Sequence, residues 1–76
     1  MSKAFVLVNT DLGSEAEVRS ELERVEGIAG VYQVYGVYDL VVEVESESVQ
    51  KLKEAVFSRI RTLRHVRSTL TLTTVS

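Results

Sequence analysis

The chain has no cysteine, no proline and a single histidine, and its longest uncharged apolar run covers only residues 4–8. Without cysteine there is no disulfide framework and no thiolate site for zinc or an iron–sulfur cluster, so nothing points to an oxidising compartment and the cytoplasm is the default location. The short apolar run is inadequate for a signal-peptide core or a membrane span. No proline, linker or low-complexity tract breaks the chain. Aromatics are few, and the middle strands predicted below carry Leu7 and Val41 instead of paired rings, which removes the stacking platform of an RNA-binding sheet. The lone histidine, His65, falls among arginines at a predicted helix end. It reads as exposed and not catalytic, and no nucleophile–base pair accompanies it, so no enzyme, cofactor or metal is expected.

Seventy-six residues make a single domain, 1–76, close to the size at which one core is only just sufficient. Association with other copies is therefore expected. The net charge is −2, unevenly spread: residues 1–54 hold all 11 acids and 5 bases, and residues 55–76 hold 4 bases and no acid. The basic group is Arg59, Arg61, Arg64 and Arg67. Such a cluster can serve nucleic acid. Three of the four, however, fall in the last turns of a predicted helix, where cations suit the macrodipole and the free carbonyls. With an acidic balance overall, no direct sequence-specific nucleic-acid binding is expected, and no membrane contact.

The hydrophobic period switches between strand and helix along the chain. Residues 4–8 read as a strand buried on both faces. Ser14-Glu15-Ala16-Glu17 matches a capping box and opens a helix with Val18, Leu22 and Val25 at helical spacing, ended by Gly27. Strands are predicted over 31–35 and 40–44, joined by a hairpin around Gly36. A second helix runs over about 48–63, with Val49, Leu52, Val56, Ile60 and Leu63 on one stripe and Lys51, Glu54 and Arg61 opposite. The last strand, over 66–75, alternates Leu70 and Leu72 with Thr69, Thr71 and Thr73. Strand, helix, strand, strand, helix, strand is the α+β, ferredoxin-like βαββαβ sandwich: a four-stranded antiparallel sheet with two helices on one face and the first and third strands central. The other face would expose half of the first strand, so a second copy is expected to cover it. The alternating threonines suit that open face.

Gly36 and Asp39 mark the sharpest local feature. A glycine at the reversal leaves neighbouring N–H groups open, and Asp39 sets a carboxylate beside them, which together offer half-sites for the carboxylate and ammonium of a zwitterion. The plainer reading has Gly36 only turning the chain and Asp39 only bonding the hairpin backbone.

The run Gly36-Val37-Tyr38-Asp39-Leu40-Val41-Val42-Glu43-Val44, followed after a helix by Val66-Arg67-Ser68-Thr69-Leu70-Thr71-Leu72, resembles the effector-binding domain of the Lrp/AsnC transcriptional regulators, the regulation-of-amino-acid-metabolism (RAM) domain. The resemblance covers nearly the whole chain. It implies dimers formed by packing sheets face to face as an α/β barrel, assembly into larger rings or octamers, and an amino acid or related small-molecule effector bound between dimers. Carried over, it makes Gly36, Val37, Tyr38 and Asp39 the lining of the effector pocket, with Gly36 and Val37 offering backbone groups, Tyr38 a wall and Asp39 an acceptor for ammonium. Thr69 and Thr71 would reach a neighbouring pocket. The family's N-terminal helix-turn-helix has no counterpart before the first strand, so the chain resembles the stand-alone members that act through assembly or through a DNA-binding relative. Two other readings share the fold. An ACT-type amino-acid sensor would use Asp11-Leu12-Gly13, and a cofactor-free enzyme of the dimeric α/β-barrel kind would need an acid–base group in its pocket.

Overall fold

The computed structural model describes residues 2–75, without the side chain of Phe57. The elements run β1 (Ser2–Thr10), α1 (Glu15–Leu22), β2 (Ile28–Gln33), β3 (Leu40–Ser46), α2 (Val49–Ala55), a π-turn (Val56–Ile60) and β4 (Val66–Thr73). One antiparallel sheet has the order β2-β3-β1-β4, so the first and third strands are central, as the element order predicts. Along β1, Ala4, Val6 and Val8 are fully buried and Thr10 nearly so. With Leu40, Val42 and Val44 of β3 they form the sheet side of one core, whose helix side is Val18, Leu22, Leu52, Val56 and Ile60. Both helices therefore lie on one face. Among the described residues, no helix is long and apolar enough to cross a membrane.

Several boundaries differ from the sequence expectation for local reasons. Ser14 takes φ −103°, ψ 7° and its side chain caps nothing, so the predicted capping box does not form; its N–H instead donates to the Asp11 carbonyl at 3.0 Å. Ser48 does cap α2, accepting from the Lys51 N–H at 3.2 Å. The predicted second helix is α-helical only to Ala55 and continues as the π-turn to Ile60, three residues short of its expected end. Ser58 and Thr62 hydroxyls donate back to the carbonyls of Glu54 and Ser58, at 2.6 and 2.7 Å, and Arg61 N–H bonds the Val56 carbonyl in a widened turn. Such back-bonding competes with the helical ladder. β2 begins earlier than predicted because Gly27, at φ +95°, turns the chain and accepts from the Glu45 N–H at 2.9 Å. It also stops earlier, at the Gln33–Leu40 pair, leaving residues 34–39 as a loop closed by Val34 N–H to the Asp39 carbonyl at 3.0 Å.

The register corrects the expected placement of the threonines. Thr69, Thr71 and Thr73 pair with Val8, Val6 and Ala4, which face the helices, whereas Leu70 and Leu72 pair with Leu7 and Phe5. Cross-strand partners share a face. The open face therefore carries the leucines, and the threonines lie on the helix side. They can be polar there because α1 packs on β2 and α2 on β1 and β3, so β4 lies beyond the helix layer. The open face thus presents Phe5, Leu7, Val41, Leu70 and Leu72, with the two β4 leucines 45% and 49% exposed. Lys3 and Glu43 edge this face in an ion pair of 3.1 Å. The hydrogen bond to Glu43 raises the Lys3 ammonium above its ordinary pKa.

If this apolar face is what a second copy covers, Leu70→Lys combined with Leu72→Lys should convert an assembled protein to monomer, because a buried unpaired charge costs several kcal/mol. Thr71→Lys, one residue away on the opposite face, should leave assembly intact. Light scattering at micromolar concentration reads both variants, and equal effects would refute the face assignment.

Candidate functional site

β1 is a central strand that outruns its neighbour on one side and meets a slipped neighbour on the other. β3 starts pairing at Leu40 opposite Val8, so two residues further on the Thr10 N–H has passed the end of its neighbour. The Asp39 carboxylate takes the missing strand's place: its Oδ2 accepts from the Thr10 N–H at 2.9 Å and from the Thr10 hydroxyl at 3.3 Å. Asp39 also donates its own N–H to the Val8 carbonyl at 3.0 Å. The carboxylate thus bonds across the sheet to β1 and not within its own hairpin. Gly36, at φ +146°, makes the loop that delivers it, a backbone conformation that side chains rarely adopt.

On the other side of β1 the register slips, with Asn9 opposite Ser68 but Thr10 opposite Val66. Arg67 is the extra residue of this bulge. Bulges re-aim a side chain out of the strand's alternation, and here the arginine joins a cleft of about 490 Å³ lined by Asn9, Thr10, Leu12, Glu15, Val37, Asp39, Arg67 and Ser68. Asn9 donates to the Ser68 hydroxyl at 3.2 Å across its floor. Leu12 and Val37 stand at 99% and 84% exposure on its rim. Chemically, the cleft offers one guanidinium, two carboxylates, hydroxyls and an amide, a set that matches both ends of a zwitterion.

The expected site residues divide between places. Val37 and Asp39 line this cleft; Gly36 and Tyr38 belong to the same loop without lining it. Thr69 and Thr71 lie in a separate groove of about 450 Å³ with Lys53, Val56, Arg61 and Thr73. Sequence reading grouped Arg67 with the helix-end arginines and passed over Asn9, Thr10, Glu15 and Ser68. The pattern carried no signal for them, because a one-residue bulge leaves no mark in hydrophobic alternation. His65 also differs from expectation. It is part-buried, with Nδ1 3.0 Å from Asp11 Oδ2 and Nε2 3.1 Å from Glu17 Oε2. Among the described residues, no group of three or more His, Asp and Glu side chains is set to hold a metal ion.

The family model for the Lrp/AsnC ligand binding domain matches residues 3–76. The chain belongs to the Lrp/AsnC family. It is 31% identical over 72 residues to the uncharacterized HTH-type transcriptional regulator PH1916 of Pyrococcus horikoshii, a match covering 91% of this chain and 48% of that protein. The chain thus spans about half the length of that curated relative. Its fold superimposes on FFRP-DM1 with a TM-score of 0.94 at 33% identity, covering 99% of this chain and 100% of that one. Against PHS023, a hypothetical protein of Pyrococcus horikoshii, the TM-score is 0.92 at 33% identity, covering 100% and 92%. This Lrp/AsnC ligand-binding domain thus has the βαββαβ fold of its solved relatives.

The Asp39 tie makes a stability prediction. Asp39→Ala leaves the buried Thr10 N–H without a partner and should cost about 1–3 kcal/mol, lowering the melting temperature by roughly 4–8 °C per kcal/mol in a domain of this size. Asp39→Asn keeps an oxygen acceptor and should lose less. Denaturant unfolding of the three proteins ranks them, and an Asp39→Ala protein as stable as the parent would remove the tie.

Proposed function

We propose that this Lrp/AsnC domain is a non-catalytic sensing module that binds an amino acid or related small molecule in the Arg67–Asp39 cleft, between subunits. The observation that carries this reading is the pairing of a bulge-presented guanidinium with an acceptor carboxylate in one cleft whose apolar rim, Leu12 and Val37, stands uncovered. Arg67 would take the ligand carboxylate in a charge-assisted bond, and Asp39, with Glu15, the ammonium. Asn9 and Ser68 lie on the open-face side of the sheet, beside Leu7 and Leu70, so a copy packed on that face would border the cleft. A ligand held there stabilises the assembly that completes its pocket, and the linkage is reciprocal. Gly36 and Tyr38 would shape the loop from behind, and Thr69 and Thr71, in their own groove, would meet a ligand only from a neighbouring copy. The matched relative's name as a transcriptional regulator supports a regulatory output, through attached or separate DNA-binding segments in the cytoplasm.

The test is a thermal-shift screen of the common amino acids coupled to light scattering. At least one should stabilise the protein, by about 2.7 kcal/mol when present at a hundred times its dissociation constant, and should change the assembly state. A screen with no stabilising amino acid would contradict the amino-acid reading of the proposal. For an amino acid so found, Arg67→Ala should weaken binding roughly ten- to a hundredfold, the worth of a charge-assisted hydrogen bond, while the unliganded melt stays where it was. Calorimetric titration measures the first effect and the melt the second.

A further inference from the structure

His65 is the single described non-glycine residue with positive φ, at +72°, and three contacts hold it there. Its carbonyl accepts the Asp11 N–H at 2.8 Å, its Nδ1 faces Asp11 Oδ2 at 3.0 Å, and its Nε2 faces Glu17 Oε2 at 3.1 Å. The second oxygen of Asp11 lies 4.0 Å from Nε of Arg67, the cleft's cation. A ring, a carboxylate and the guanidinium therefore stand in series, from the segment before β4 through the β1–α1 loop to the ligand cleft. The charged groups around the ring are Asp11 from that loop, Glu17 from α1, Arg67 from β4 through Asp11, and its chain neighbour Arg64.

We propose that His65 is a proton-operated latch on this cleft, setting how strongly Asp11 holds Arg67. Only the imidazolium has two N–H groups, so only that form can donate to Asp11 and Glu17 together; a neutral ring offers one of them a lone pair, and one contact breaks. Whichever breaks, the positive charge that balanced Asp11 is gone. The carboxylate's attraction then falls on Arg67, at whose guanidinium a ligand carboxylate must compete. Proton loss therefore closes the arginine end of the cleft and proton binding opens it. Histidine is the side chain whose charge ordinarily changes between about pH 5 and 8, and this chain has one histidine. The ring carbon–proton signal followed over that range therefore belongs to a single imidazole.

The latch is a property of the unliganded protein, so its test needs no ligand and its failure leaves the proposed ligand site standing. Proton–nitrogen correlation spectra are recorded across that range, together with the ring carbon–proton signal. The Arg67 Nε–H and the Asp11 and Leu12 amides should move with the midpoint of the ring. In His65→Gln those movements should be lost. In Asp11→Asn, which keeps the ring, His65 should still titrate while Arg67 no longer follows it. The proposal is overturned if the ring titrates and Arg67 stays still, if Arg67 moves equally in either variant, or if the ring does not titrate in this range.

Discussion

The end of β1 is the constraint on which the rest depends. A central strand needs partners on both sides for every backbone group, because an unpaired buried N–H costs as much as a lost hydrogen bond. β1 runs two residues past the pairing limit of β3, and the Asp39 carboxylate supplies the acceptor that β3 does not. On the other side a bulge lets β4 stay attached while its register slips, and the His65 carbonyl takes the next amide, that of Asp11. The polar groups that finish this strand are also the groups that make the cleft. One structural requirement therefore gathers Asp39, Arg67 and the Asp11–His65 pair at one end of the sheet.

The same economy explains the two faces. Helices over β1, β2 and β3 bury the helix-facing side chains of those strands, and nine of the twelve buried core side chains are branched Val or Ile or the small Ala. β4 lies beyond them, so its helix-side positions are threonines and its open-face positions leucines. The apolar area that a 76-residue chain cannot cover with its own helices is concentrated beside the cleft, on the face shared by Asn9 and Ser68. Under the proposed function, assembly and ligand binding meet on adjoining surfaces, the arrangement in which one can bias the other.

Much of the fold was legible in the sequence. The continuous apolar run of residues 4–8, the alternation in 40–44, the helical stripe through Leu52, Val56 and Ile60, and the order of the elements were sufficient for the βαββαβ sheet and its central strands. What escaped were features set by single hydrogen bonds: the hydroxyl back-bonding that ends the second helix, the unformed cap at Ser14, and the side of the sheet taken by the threonines. That last error followed from knowing the alternation without the phase, since a period of two fits either face and only the cross-strand register decides. The site was half legible. Gly36 and Asp39 stand out because a positive-φ glycine and a nearby acid are local signals, whereas Arg67 acquires its place from a bulge and His65 from two carboxylates distant in sequence.

The most direct measurement of the central claim is an amide shift map of the protein titrated with the amino acid that most stabilises it. The account predicts that the largest changes fall on Asn9, Thr10, Leu12, Val37, Asp39, Arg67 and Ser68. Changes concentrated instead on Lys53, Thr69, Thr71 and Thr73, in the groove across the sheet, would contradict it.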